Sequence, residues 1–145
     1  MHAGDAASAA ESSVSVIVQR AAEVSGKQLI EADGYLFICP ENLGSMSGEM
    51  KEFFDQNYYP CLEKLNGRPY GIIICAGSDG QGAVRQVERI ATGWRLNAVM
   101  PAAIIHTSAQ SALEILAPKQ LTPEQKETVS EIGAGLSAGL ALGVF

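Results

Sequence analysis

A chain of 145 residues with 47% hydrophobic and 18% charged side chains has the make-up of one globular domain with a real core, not of a disordered segment. Its formal net charge of −6 argues against nucleic acid or an anionic membrane surface as the main partner. No apolar run approaches the roughly 18 residues of a membrane span, and the N-terminus lacks the basic-then-apolar order of a secretory signal.

In chain order, residues 3–13 are rich in Ala and Ser and are expected to be helical. Val14 to Val18 (VSVIV) is a β-branched run that reads as a short buried strand. Ala21 to Gly26 connects it to a turn over Lys27 to Ala32 capped by Ser25, and Asp33-Gly34 breaks the chain. Tyr35 to Cys39 is the next strand, ended by Pro40. A Gly/Ser-rich loop from Glu41 to Ser47 follows, and a helix starts at Gly48 with Ser47 as its cap. That loop is longer than the roughly two to six residues of most strand-to-helix connections. The helix carries Met50, Phe53, Phe54 and Asn57 on its inner face and is expected to stop before Pro60. Leu62 and Leu65 extend the apolar face to a turn at Asn66-Gly67.

Tyr70 to Cys75 (YGIIIC) is apolar throughout, like a strand buried on both faces of a parallel sheet. The loop Ala76 to Gly82 (AGSDGQG) leads into an amphipathic helix striped by Val84, Val87, Ala91 and Trp94, with Gly93 weakening its last turn. Val99 to Ile105 is the last strand, and Pro101 within it suits a sheet edge. Leu113 to Leu116 reads as a short helical turn before Pro118. Thr122 followed by Pro123 is a strong start signal for a final helix striped by Val129, Ile132, Leu136 and Leu140. Strands alternating with helices predict a parallel sheet with helices on both faces, in one domain over residues 1–145.

Two loops stand at the C-terminal ends of apolar strands, where open α/β sheets bind ligands. The first holds Pro40, Glu41, Asn42, Leu43, Gly44, Ser45 and Met46, and Gly44 lets backbone approach a flat ligand closely. The second holds Gly77, Ser78, Asp79 and Gly80. Each has a plainer reading: a surface turn beside a helix cap for the first, an ordinary connection with Asp79 capping the next helix for the second. The G-x-x-G-x-G spacing is not the dinucleotide fingerprint, and no G-x-x-x-x-G-K-[ST] occurs. His106 stands alone past the last strand and reads as structural; no metal-spaced cluster or Ser/His/Asp set is visible. Of three cysteines, Cys39 and Cys75 end apolar strands and read as reduced, buried thiols of a cytoplasmic protein, while Cys61 in a Tyr-Tyr-Pro-Cys turn is expected to be partly exposed. Trp94, Tyr58 and Tyr59 read as packing or oligomer contacts, and Arg85, Glu88 and Arg89 as a charged helix face.

The segment PENLGSMSGEMKEFFD resembles the flavin-ring loop of the flavodoxin-like, NAD(P)H-dependent FMN reductases, whose pattern is P-T/E-x-x-G-x-M-S-G-x-M-K-x-F-F-D. Pro40, Glu41, Asn42, Gly44, Met46, Ser47, Gly48, Met50, Lys51, Phe53, Phe54 and Asp55 all fit. The likeness continues through GRPYGIIICAGSDGQGAVRQVERIATGW and on to EIGAGLSAGLALGVF, covering most of the chain from about Val14. It fails at the front, where the family has a short apolar strand and an S-x-T-G-x-T phosphate loop; MHAGDAASAAESS looks instead like the inside of the first helix.

The resemblance implies a three-layer flavodoxin-like α/β fold of strand order 2-1-3-4-5 that lacks its central first strand. Such a strand buries about four or five apolar side chains, each worth roughly 1.5–3 kcal/mol. That rivals the roughly 5–15 kcal/mol stability of a whole domain. Either the Val14 strand moves in to pair with Tyr35–Cys39, or a partner chain fills the gap, or the true start lies upstream of Met1, which is the simplest account. The resemblance also implies FMN, with a weakened or absent phosphate site, and NAD(P)H as co-substrate. Glu41 to Met46 would lie against the pyrimidine side of the ring, and Gly77, Ser78, Asp79, Gly80, Gln81 and Gly82 along its other edge and the nicotinamide or substrate face. The implied activity is hydride transfer from NAD(P)H to a quinone or similar small-molecule acceptor, in a chain that associates with itself. A flavodoxin-type electron carrier and a scaffold that has lost flavin are the alternatives.

Overall fold

The computed structural model describes residues 1–109 and 111–145. Its sheet is organised around the chain's most apolar strand, β3 (Pro69–Ala76), in which every residue but Cys75 is buried. On one side β3 pairs in parallel with β1 (Tyr35–Asn42), with Phe37 opposite Ile72 and Pro40 opposite Cys75. On the other side it pairs in parallel first with β4 (Asn97–Ala98) and then with β5 (Ala103–His106). A two-residue strand, β2 (Ser45–Met46), returns antiparallel along the end of β1, so the sheet is mixed but mostly parallel.

Side chains alternate between the two faces, as pleated strands require. One face carries Tyr35, Phe37, Cys39, Tyr70, Ile72 and Ile74. Helices α2 (Gly26–Glu31), α3 (Gly48–Cys61) and α4 (Gln81–Gly93) supply Leu29, Phe53, Phe54, Val84 and Val87 to that layer. Its centre is aromatic: Phe54 lies 5.1 Å from Phe37, 5.0 Å from Phe53 and 5.3 Å from Trp94, ring centre to ring centre. The spacing and tilted planes are those of favourable edge-to-face pairs. The opposite face carries Ile73 and Ile105, covered by Ala3 of α1 (His2–Ala10) and Val129 of α6 (Pro123–Leu142). The remaining helical pieces are a single 3-10 turn, Ala21–Glu23, and α5 (Ala112–Leu116). Among the described residues no helix is long and apolar enough to cross a membrane.

Local signals act as expected at several ends. Ser25, Ser47 and Thr122 accept backbone N–H bonds from Gln28, Met50 and Gln125, and Pro123 occupies the first turn of α6. Arg68 closes the other end of α2: one guanidinium nitrogen donates to the carbonyls of Leu29 (2.8 Å) and Ala32 (2.6 Å) and to the Tyr35 hydroxyl (2.9 Å). A cation at a helix C-terminus meets the negative end of its dipole.

Four expectations are corrected. Val14–Val18 is not a strand and does not pair with Tyr35–Cys39. Ile17 and Val18 are 72% and 61% exposed, and Val18 leans on Gly4 of α1. β-branched residues favour a strand only where a neighbouring strand accepts their backbone, and the ladder of β1 is made with β3 and β2. The third helix does not stop before Pro60 but runs through it to Cys61. In the last turn a missing N–H forfeits one bond only, and Pro60 is held there against Gly26 of α2. Those two further residues turn Cys61 inward, so the thiol expected to be partly exposed is 2% exposed and lies 3.7 Å from the Gly26 carbonyl. The last strand is interrupted around Pro101 and lies on the outer side of β3, as expected, but its bounds differ: residues 99–102 are not strand, and the two pieces are β4 (Asn97–Ala98) and β5 (Ala103–His106).

The α1–α6 contact depends on small residues. A Cβ on Gly133 would collide with the Ala3 carbonyl, whereas one on Gly135 meets nothing within 4 Å. Gly133→Ala is therefore expected to lower stability by about 1–3 kcal/mol despite the better helix propensity of alanine. Gly135→Ala should raise it by about 0.5–1 kcal/mol. Urea unfolding of the two variants beside wild type reads the contrast, and equal effects would refute the close packing.

Candidate functional site

Because β1 and β3 run in register, their C-terminal ends are level, and the connections leaving them emerge side by side. The first connection is not the open loop that the sequence implied. β1 continues through Pro40 and Glu41 to Asn42, turns at Leu43-Gly44, and returns as β2, with Asn42 opposite Ser45 and Glu41 opposite Met46. Leu43 and Gly44 have φ of 52° and 76°. Two consecutive positive values are what a two-residue type I′ hairpin requires. Gly44 adopts this at no cost, while a leucine there is strained by roughly 1–2 kcal/mol. Leu43 is also wholly exposed.

The second connection, Gly77-Ser78-Asp79, is exposed and reaches Gly80, whose φ of 84° begins α4. Gly80 is buried, and a Cβ there would strike Ile104 and Ala76, so no other residue fits. Gly80, not Asp79, is the N-cap of α4, and it has no side-chain hydrogen bond to offer. Glu41 brings a carboxylate instead: its Oε2 accepts from the Gly80 N–H at 2.9 Å. A negative charge at the positive end of a helix is favourable. The other oxygen, Oε1, is buried without a partner.

Further along, the Gly44 carbonyl lies so close to Gly82 that a Cβ there would collide with it. Gln86, one turn on, uses Oε1 to accept from Ser45 Oγ (2.8 Å) and from the Met46 N–H (3.0 Å). On the far side His106 Nε2 donates to the Asp79 carbonyl (3.2 Å), and the Thr107 N–H donates to the Ala76 carbonyl (2.8 Å). His106 is thus a structural tie between β5 and the second loop.

The structure therefore brings Pro40 to Met46 and Gly77 to Gly80 to one end of the sheet. Within this set Met46 is turned into the core at 3% exposure and Gly80 is buried as the helix start. Pro40, Asn42, Leu43, Gly44, Gly77, Ser78 and Asp79 present exposed surface, and Glu41 and Ser45 are half-buried. Sequence reasoning had Gly82 in the second loop but missed Gln86. The hairpin had a local signal in a glycine at the second turn position of Asn42-Leu43-Gly44-Ser45. Gln86 had none, being an unremarkable polar residue on the solvent side of an amphipathic helix.

A scan against protein families matches the model described as NADPH-dependent FMN reductase to residues 9–111, well over half of the 145 residues. The chain belongs to the NADPH-dependent FMN reductase family. It is similar to a probable NAD(P)H dehydrogenase (quinone) of Arabidopsis thaliana, 38% identical over 61 residues, which are 41% of this chain and 22% of that protein. A quinone oxidoreductase of Triphysaria versicolor is 35% identical over 60 residues, 41% of this chain and 29% of that one. The match covers well under a third of the length of either curated relative. Among solved structures, an archaeal flavodoxin superposes with a TM-score of 0.74 at 15% identity, covering 97% of this chain and 86% of the other. A WrbA-like flavodoxin from Agrobacterium tumefaciens gives 0.69 at 16% identity, covering 94% and 86%. The fold is flavodoxin-like, as the resemblance implied.

A flat heterocycle suits this end of the sheet. A Cβ on Gly44 or Gly77 would meet nothing within 4 Å, so backbone on both connections faces open space. Residues 40–46 and 77–82 include no Lys or Arg to meet a charged tail.

Cys39 and Cys75 lie near the C-terminal ends of β1 and β3, whereas Cys61 packs against Gly26 of α2 at the far end of α3. Cys39 and Cys61 are buried and Cys75 half-buried, and burial pushes each thiol above its ordinary value of 9.0. A raised acid prefers its neutral form in the fold. Its contribution is complete below about pH 9, the unfolded value, and disappears as pH climbs through the raised folded values. Stability against urea is therefore expected to be flat from pH 7 to about pH 9 with respect to these groups and to fall above it. Iodoacetamide at pH 8 should leave all three unmodified until the chain unfolds, and rapid labelling of the native protein would contradict the burial.

Proposed function

We propose that this chain binds the ring of FMN between the β1–β2 hairpin and the β3–α4 loop, and serves an oxidoreductase that moves electrons from NAD(P)H to a quinone or similar small-molecule acceptor. The observation that carries this reading is the pair of glycine-bearing connections leaving adjacent parallel strands at one level, tied to each other by Glu41 and Gln86. It is supported by membership of the FMN reductase family and by the quinone reductases among the relatives.

Bound there, FMN would supply the redox chemistry, taking a hydride from the nicotinamide and returning two electrons, with protons, to the quinone. The chain's own residues bind and orient. Backbone groups of Asn42 to Ser45 would meet the pyrimidine edge, and those of Gly77 to Asp79 the other edge. Leu43, fully exposed at the hairpin tip, would shield the ring from water. The hydride step itself needs no side-chain acid or base, and the one further proton of the quinone's reduction would come from solvent. The buried, reduced thiols suit a reducing compartment such as the cytoplasm. Tyr59, 80% exposed, and Leu62, 40% exposed, near the end of α3 suit self-association. A flavodoxin-type electron carrier is the second reading, favoured by the superposition on flavodoxins.

Titration of purified protein into FMN and into riboflavin tests the binding. Quenching of flavin fluorescence is expected with both, and with affinities within about tenfold of each other, since the two connections address the ring and not the phosphate. Absence of quenching with either ligand refutes the flavin reading. NADPH oxidation that depends on an added quinone then separates the reductase from the carrier, which would show none.

A further inference from the structure

Three contacts run along one seam between the β1–β2 hairpin and the first turns of α4. At one end Glu41 Oε2 accepts from the Gly80 N–H. In the middle the Gly44 carbonyl rests on Gly82. At the other end Gln86 Oε1 accepts both from Ser45 Oγ at 2.8 Å and from the Met46 N–H at 3.0 Å. What lies between these anchors is the strained turn, with Leu43 exposed and at positive φ. Gly44 favours this turn locally, but the leucine at positive φ opposes it, so local preference alone does not hold it. Tertiary contacts must therefore hold it.

The geometry points to Gln86 as a positioning residue for the ligand: by clamping β2 to α4, with Gly82 leaving room for the Gly44 carbonyl, it sets the shape of the turn Leu43-Gly44 before any ring arrives. This rests on the flavin reading above and deepens it. A turn already in its bound shape need not be ordered by the ligand, so less binding free energy is lost to conformational entropy. Gln86 itself touches no ligand. It sits on the exposed side of α4, and the helix can do without it.

The chemistry of the clamp makes a specific demand. Met46 offers a backbone N–H, which only donates, so position 86 must supply an acceptor. Glutamate supplies one and alanine does not. In the ligand-free protein, Gln86→Ala is expected to speed hydrogen exchange at the Met46 amide by about tenfold or more, and Gln86→Glu to restore slow exchange. With FMN followed by fluorescence quenching, Gln86→Ala should weaken binding by about tenfold while its melting temperature stays near that of wild type, and Gln86→Glu should bind within about threefold of wild type. A merely structural residue would not separate melting from binding in this way.

Gly82→Ala gives an independent arm should Gln86→Ala fold poorly. It improves the helix former at that position, yet its methyl group displaces the Gly44 carbonyl. Intact helix content with weakened FMN binding is expected. Unchanged Met46 exchange in Gln86→Ala, or wild-type FMN affinity in both Gln86→Ala and Gly82→Ala, overturns the clamp alone. A wild type that quenches no flavin overturns the flavin reading and the ligand role of the clamp together, and the exchange data tell that result apart from a failure of the clamp itself.

Discussion

The parallel pairing of Tyr35–Pro40 with Tyr70–Cys75 is the constraint on which the rest of the structure depends. Parallel pairing in register makes two strands end at one height, so whatever follows each strand is delivered to the same edge of the sheet. Here a hairpin and a glycine-rich connection are delivered. One face of both strands is covered; the opposite face is covered over β3 and left partly open over β1, where Ile38 is 44% exposed. Phe37 and Ile72 are closed over by the rings of Phe53, Phe54 and Trp94. Ile73 is closed over by Ala3 and Val129 from the opposite layer. Removing either cover would expose apolar strand surface worth roughly 25 cal/mol per Å2.

The two layers are built on different physical terms. The α2–α3–α4 side relies on large rings and branched chains, and on Arg68, which ties the end of α2 to Tyr35 of the sheet. The α1–α6 side relies on closeness: glycine, alanine and serine let two backbones approach until Gly133 has no room for a methyl group. Ser137 is buried there with an unpartnered hydroxyl, an unfavourable feature that the close contact around it must outweigh. The candidate site lies on the first side, where polar ties from Glu41 and Gln86 cross between segments far apart in the chain. Glu41 Oε1 is likewise buried without a partner, at the end of the sheet where β1 and β3 finish.

Much of the fold was legible because its signals are local. The unbroken apolar run YGIIIC becomes a strand buried on both faces, and the Thr122-Pro123 pair starts α6. Ser25 and Ser47 cap the helices they precede. The misreadings share one cause, which is that a neighbour decided the outcome. VSVIV has strand propensity but gains no partner, and it stays irregular. Pro60 is a helix breaker in isolation, yet Gly26 of α2 receives it and the helix runs on, carrying Cys61 into the interior. Pro101 did act locally, splitting the last strand in two.

By itself the amino-acid sequence determined the alternation of strands and helices, the apolar faces, the helix caps, and the two glycine-bearing connections that carry the family resemblance. These depend on periodicity, propensity and turn chemistry, all properties of residues within a few positions of one another. Only the tertiary structure decided that the first connection is a type I′ hairpin, that Glu41 serves a helix beginning at Gln81, and that Gln86 holds Ser45 and Met46. The last two are contacts between segments about forty residues apart in the chain. No local pattern records such a contact, because its free energy exists only once β1 and β3 have paired and brought the two segments together.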